Sequence, residues 1–222
     1  MADLMALDGP RRAPASGGKP KQLVVLLHGW GANGDDLIGL APYLAQALPE
    51  AVFVSPNAPY PCEANPMGLQ WFSLADRAEE RLLAGLRLAA SLVDSFLDEE
   101  LARQGLTDAD LALVGFSQGT MLSLHVGTRR KTAPAQIVGY SGALIGGQHL
   151  AAEITSRPPT LLVHGQSDPV VPYQASEQAA ALLQENGVKV DLILRPGLPH
   201  SIDEVGLGAA GQALRGAFGA GA

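Results

Sequence analysis

Cysteine is nearly absent: Cys62 is the only one in 222 residues. A single thiol cannot form an intramolecular disulfide, and no cysteine-based zinc site can be assembled from it. That scarcity suits a reducing cytoplasm, where the protein is expected to reside. Long apolar runs are missing too. The longest aliphatic runs span five residues, as at Leu23–Leu27, against roughly 20 for a membrane-spanning helix. Asp3 and Asp8 interrupt the first ten residues, so neither a signal peptide nor a membrane anchor is expected there. Positive charge is in deficit. With 15 Lys and Arg against 22 Asp and Glu, the formal net charge is −7, a balance that argues against nucleic-acid binding, whose affinity comes largely from neutralising phosphates. The one basic run, Arg129-Arg130-Lys131, falls where a helix is expected to end and would complement its dipole. The acidic run Asp98-Glu99-Glu100 reads as solvated helix surface. No pair of histidines has ligand spacing on one helix, so no metal is expected.

Apolar residues are plentiful, at 47% of the chain, enough for a substantial core, and the length fits one domain. Residues 9–20 are rich in Gly, Pro, Ala and Ser. Residues 1–20 therefore read as a lead-in or an edge hairpin, ahead of a domain over 21–222. Within that domain, runs of strand length recur: Leu23–Leu27, Ala51–Val54, Leu111–Val114, Gln136–Tyr140, Thr160–Val163 and Val188–Leu194. Most are continuously apolar rather than alternating, the mark of strands covered on both faces of a parallel sheet. Helical patterns lie between them. The clearest covers 75–104, where Leu82, Leu86, Ala90, Val93, Leu97 and Leu101 recur at helical spacing and Gly105 stands at the C-cap position. Weaker ones cover 118–130, 174–186 and 203–218. Strand and helix in alternation predict an α/β fold, a mostly parallel, doubly wound sheet flanked by helices, with its active site at the carboxyl ends of the strands.

The residues just past each strand are therefore informative. After Leu111–Val114 comes Gly115-Phe116-Ser117-Gln118-Gly119, a G-x-S-x-G at a strand-to-helix turn. Such a turn holds the serine in a strained conformation with its hydroxyl exposed, and the flanking glycines remove Cβ clashes. After Thr160–Val163 comes His164-Gly-Gln-Ser-Asp168, a carboxylate placed to orient a histidine. After the last strand comes Arg195-Pro-Gly-Leu-Pro-His200, then Ser201, a candidate helix N-cap. The order Ser117, Asp168, His200 is that of the α/β-hydrolases. The glycine-rich loop His28-Gly-Trp30-Gly-Ala-Asn-Gly can aim backbone N–H groups into the site. The Trp30 and Gln118 amides are the candidate oxyanion donors. Trp30, Leu69, Trp71, Leu144 and Val170 are candidates for contact with an acyl chain. Asp191 and Asp203 are rival acids; the first lies within a strand pattern and the second is placed to begin a helix. His28 and His164 read as structural, His125 as a packed helix residue and His149 as exposed.

These residues carry a resemblance. His28-Gly-Trp-Gly, Pro56-Asn-Ala-Pro, Trp71-Phe, Gly115-Phe-Ser-Gln-Gly, His164-Gly-Gln-Ser-Asp-Pro-Val-Val-Pro and Pro199-His200 resemble the phospholipase/carboxylesterase family, which includes the acyl-protein thioesterases and small bacterial carboxylesterases. The resemblance runs from about Leu23 to the final helix. It implies a compact single-domain α/β-hydrolase with no large lid domain and no cofactor. It implies a serine carboxylesterase acting on short- to medium-chain acyl esters, with lysophospholipid or acyl-thioester hydrolysis as alternatives, and it allows a homodimer. The carried-over roles are Ser117 as nucleophile, Asp168 as acid, His200 as base, and Trp30 and Gln118 as oxyanion donors. Trp30 departs from the smaller apolar residue of many relatives, which would narrow the pocket beside it. Thr120 stands where many have a second glycine.

Overall fold

The computed structural model describes residues 6–219; Asp3 and the start of the 1–20 lead-in lie outside the described residues. In chain order its elements are β1 (Arg11–Arg12), β2 (Gln22–Leu27), α1 (Gly34–Ile38), α2 (Ala41–Leu44), β3 (Ala51–Val54), β4 (Tyr60–Pro61), β5 (Leu69–Gln70) and α3 (Glu79–Gln104). Next come β6 (Leu111–Phe116), α4 (Gln118–Gly127), β7 (Gln136–Tyr140), α5 (Leu150–Glu153), β8 (Thr160–Gly165), α6 (Gln174–Glu185), β9 (Val190–Arg195) and α7 (Glu204–Ala217). Seven strands form one sheet in the order β1-β3-β2-β6-β7-β8-β9. All pairs are parallel except the edge pair β1·β3, where Arg11 faces Val54. This is the α/β architecture the strand pattern predicts.

The continuous apolar runs have a direct cause. In β2, Leu23, Val25 and Leu27 face one core with Leu86, Val93 and Leu97 of α3, Leu122 of α4 and Leu183 of α6. Val24 and Leu26 face the other, with Leu37 and Ile38 of α1, Leu44 of α2 and Leu214 of α7. Strands β2, β3, β6, β7 and β8 thus bury both faces, and alternation vanishes from their sequence. Among the described residues no helix is long and apolar enough to cross a membrane.

Several expectations change. Helix α3 starts at Glu79 rather than 75, and α4 stops at Gly127. The cap of α7 is Asp203, whose side chain accepts from Gly206 N, rather than Ser201. The basic run does more than complement the helix dipole, although Arg129 does donate to His125 O in the last turn of α4. Arg130 is buried and pairs with Asp94, Asp98 and Asp108, while Arg129 pairs with Glu153. Glu100 is fully buried, not solvated, and binds Arg11 at 2.7 Å and Arg103 at 3.3 Å. Arginine forks taken from distant segments stabilise these charges in place of water.

His125 lies on α4, 5% exposed, with Nδ1 lacking a hydrogen-bond partner among the described residues. Burial, helped by the nearby Arg129 charge, lowers its pKa to about 4. The unfolded chain binds a proton at ordinary histidine pH while the folded chain does not. Stability is therefore full above about pH 6.5 and declines toward pH 4, by about 3 kcal/mol from this group. Carboxylates held below their usual range, such as Asp203, add loss of the same sign at lower pH. Urea unfolding at pH 7, 5.5 and 4.5 should show the decline, and His125→Leu should flatten its upper part. An equal slope in that variant would refute the assignment.

Candidate active site

The loops after β2, β6, β8 and β9 meet above the carboxyl edge of the sheet. Ser117 sits at the turn from β6 into α4 with φ 55° and ψ −115°, a region that costs a non-glycine residue about 1–3 kcal/mol. The turn is possible because its neighbours have no side chains. A Cβ on Gly119 would fall 1.8 Å from the Leu27 carbonyl oxygen, and one on Gly115 would fall 2.4 Å from that of Gly119. The Ser117 N–H donates to Tyr140 O at 2.8 Å. Thr120, the departure from a second glycine, uses its hydroxyl to brace the same turn, 2.8 Å from both Gly115 O and Tyr140 O.

Asp168 follows β8, and its side chain is fully buried. Oδ1 accepts from the Val170 and Val171 amides at 2.8 and 2.9 Å, and Oδ2 accepts from His200 Nδ1 at 2.6 Å. Burial pushes this carboxyl up, but the hydrogen bonds from His200, Val171 and Val170 outweigh it and hold the group below its ordinary range. The loop carrying His200 is closed at its base by the Arg195–Asp203 pair at 2.8 Å. It is laced to the Asp168 loop by Gln166 N→Arg195 O and Ser167 N→Leu198 O. The His200 ring packs on Phe116, with centroids 4.8 Å apart. Ser117 and His200 line the same cavity.

Gln118 and Trp30 are the residues expected to supply backbone donors beside Ser117. The Gln118 N–H opens α4 and has no intrahelical acceptor. Trp30 lies in the loop after β2, where Gly29 approaches so closely that its Cβ would be 3.3 Å from Ser117 Cβ. The Gln118 side chain binds the chain beside it, accepting from Trp71 N at 2.9 Å and donating to Phe72 O at 2.8 Å. Buried His28 is the second brace. Its Nε2 accepts from Ala58 N at 3.0 Å, so the ring proton is on Nδ1, which donates to Gly29 O at 2.8 Å. Burial lowers its pKa, consistent with this neutral tautomer.

The cavity measures about 650 Å³, within the range of small-molecule sites. Its walls are largely apolar, with Leu74, Leu82, Met121, Val170 and Val171 around Ser117 and His200, and Glu63 and Arg77 as its charged members. Trp30 forms part of the wall, its indole N–H held by Gln70 Oε1 at 2.8 Å. The same oxygen accepts from Glu63 N at 3.1 Å. Of the candidate contact residues, Trp30 and Val170 line the cavity. Leu69 and Leu144 pack against the core. Trp71 is fully buried, its indole N–H spent on His28 O at 2.9 Å, and the ring fills space beneath the site. Leu82 and Met121 were not legible as wall residues, since on α3 and α4 helical spacing alone reads them as core, and Leu74 lies in the loop before α3, where no pattern marks it. The rival acids lie elsewhere: Asp191 is exposed on β9, and Asp203 is engaged at the cap of α7.

The chain is similar to known proteins over most of its length. The Phospholipase/Carboxylesterase family profile matches residues 13–216. An esterase of Escherichia coli K12, YpfH, is 28% identical over 82% of this chain and 77% of its own length. Acyl-protein thioesterase 1 of Schizosaccharomyces pombe is 31% identical over 81% of this chain and 83% of its own. The crystal structure of esterase PE8 superposes with a TM-score of 0.91 at 41% identity, covering 96% of this chain and 99% of that one. The chain belongs to the phospholipase/carboxylesterase family of α/β-hydrolases, enzymes of the carboxylesterase and thioesterase type.

Proposed function

We propose that the protein is a cytoplasmic serine carboxylesterase that hydrolyses short- to medium-chain acyl esters through an acyl-enzyme on Ser117. The observation that carries this reading is the strained Ser117 turn opening into the same cavity as a His200 anchored to buried Asp168 at 2.6 Å. His200 Nδ1 faces a carboxylate and must carry a proton, which leaves Nε2 free to accept one from the Ser117 hydroxyl. Ser117 Oγ then attacks the ester carbonyl, and the developing oxyanion takes hydrogen bonds from the Trp30 and Gln118 amides, each worth roughly 2.7–4 kcal/mol. The His200 imidazolium, stabilised by ionised Asp168, returns its proton to the departing alkoxide as the tetrahedral intermediate collapses. Water, deprotonated by His200, attacks the acyl-enzyme, and Ser117 recovers its proton as the carboxylic acid leaves.

Thioester hydrolysis by the same groups is the second reading, favoured by the likeness to acyl-protein thioesterase 1 of S. pombe. Rates on p-nitrophenyl esters from acetate to palmitate, with matched thioesters beside them, test both. A peak at short or medium chains supports the first reading, and a preference for the thioester at equal acyl length supports the second. Activity on neither series overturns both. Trp30→Leu removes the ring that Gln70 holds against the cavity. It should move the optimum to longer chains, with several-fold gains there, because the backbone donor is kept while the wall recedes. An unmoved optimum would take the indole out of acyl selection.

A further inference from the structure

Asp168 binds more than the triad requires. Oδ1 is occupied by two backbone amides, and Oδ2, which accepts from His200 Nδ1 at 2.6 Å, also lies 3.2 Å from His164 Nε2. His164 is the penultimate residue of β8 and is fully buried. Its Nε2 also lies 2.9 Å from Val171 O. The Val171 oxygen carries no hydrogen, so Nε2 must be the protonated nitrogen; it donates to Val171 O, and the same N–H edge of the ring lies beside Asp168 Oδ2. On the other side of the ring, Nδ1 meets Ser176 Oγ of α6 at 2.7 Å, and that hydroxyl lies 3.1 Å from Gly142 O. A histidine serving only to fill the core would not tie down the residue whose amide holds Asp168, nor stand with its N–H edge beside the carboxylate oxygen that orients the base.

We propose that His164 is a positioning residue for the hydrolysis, acting through Asp168: its Nε2–H holds Val171 O, the residue whose amide donates to Oδ1, and its N–H edge stands 3.2 Å from Oδ2. This rests on the triad reading above. The bond to Val171 O steadies the loop that pins Oδ1 and so fixes the carboxylate against rotation. The nearby Nε2–H also draws negative charge from Oδ2, which limits how strongly Asp168 favours the imidazolium form of His200. The loss of this donor therefore weakens orientation and raises the basicity of the Asp168–His200 pair together. The other charged groups around the cluster are the Arg195–Asp203 pair at the base of the His200 loop and Glu63 and Arg77 on the cavity. All four are retained in the variants that test the proposal.

Two substitutions separate the two sides of the ring. His164→Asn keeps a polar group near Ser176 but is too short to reach Asp168. His164→Gln places an amide N–H near the position of Nε2. For a p-nitrophenyl ester, His164→Asn should lower kcat about 10-fold with KM within about twofold. The acidic limb of its pH–rate profile should move upward by about half a pH unit. His164→Gln should recover most of both. A folded His164→Asn enzyme with wild-type kcat and an unmoved limb overturns the proposal, as does a His164→Gln enzyme equally impaired. If His164→Asn does not fold, the wild-type imidazole 15N–1H spectrum decides: a His164 proton on Nε2 supports the proposal, and an Nδ1-only tautomer overturns it. Failure of the triad reading is distinguishable, because Ser117→Ala would then retain activity whatever the His164 variants do.

Discussion

Replacing Ser117 with alanine will lower kcat on the best p-nitrophenyl ester by roughly 10⁴- to 10⁶-fold, leaving the slow background that an oxyanion site alone provides. The size comes from the mechanism, since no acyl-enzyme forms without Oγ and His200 has no nucleophile to activate. The fold should survive, because the substitution removes one atom from a residue at the cavity wall. Ser117→Gly should go further. With φ at 55° and ψ at −115°, glycine relieves strain that serine must hold, and the inactive variant should gain about 1 kcal/mol. In a chain of this length that raises the melting temperature by about 2–4 °C. Kinetics and calorimetry on the two variants form one test. Surviving activity would place the nucleophile elsewhere, and a less stable glycine variant would refute the strain.

The second large effect is expected from Asp168→Asn, a loss of about 10⁴-fold in kcat at neutral pH, greater than its change in size suggests. The Val170 and Val171 amides donate to Oδ1, so the asparagine carbonyl oxygen belongs there and its NH₂ group takes the place of Oδ2. That group meets His200 Nδ1 donor to donor. The imidazole answers by moving its proton to Nε2, the nitrogen that must accept from Ser117, and the base is held in the wrong tautomer. Controls at the rival acids sharpen the result. Asp191→Asn, at an exposed position of β9, should change kcat by less than twofold. Asp203→Asn, at the cap of α7, should cost a few tenths of a kcal/mol in stability with little loss of rate. A large kcat loss at either position, with Asp168→Asn active, would reassign the acid.

The parts of this molecule legible in the sequence are those whose causes are local. Five core strands stand out because both faces are covered, and α3 because 26 residues give periodicity room to repeat. Helices α1, α2 and α5 have four or five residues, about one turn, too short for a period to register. The two-residue strands β4 and β5 are equally silent. Ser117, Asp168 and His200 stand out in the sequence because each follows its own strand. Burial of charge could not be read: Glu100 meets an arginine 89 residues away, and Arg130 meets aspartates 36 and 32 residues away. Trp71 fails as a pocket residue for a similar reason, since the acceptor of its indole N–H lies 43 residues upstream. His164 was legible only as a histidine at a strand end. Its proximity to Asp168 depends on how the loop after β8 turns back.

The short edge strand β1 has a bearing on how the protein can be handled. Ala51–Val54 of β3 is wholly apolar and buried, and among the described residues β1 is the strand that covers it on that side of the sheet. A fragment trimmed to begin at Lys21 would lose more than a glycine- and proline-rich tail. It would expose a bare row of backbone donors and acceptors along β3, open to strand addition by another copy. It would also leave Glu100 without Arg11 deep in the fold. Self-association is thus the expected fate of such a fragment even with every residue of the active site in place, and the pair Arg11–Arg12 guards the solubility of an enzyme whose chemistry lies at the far ends of other strands.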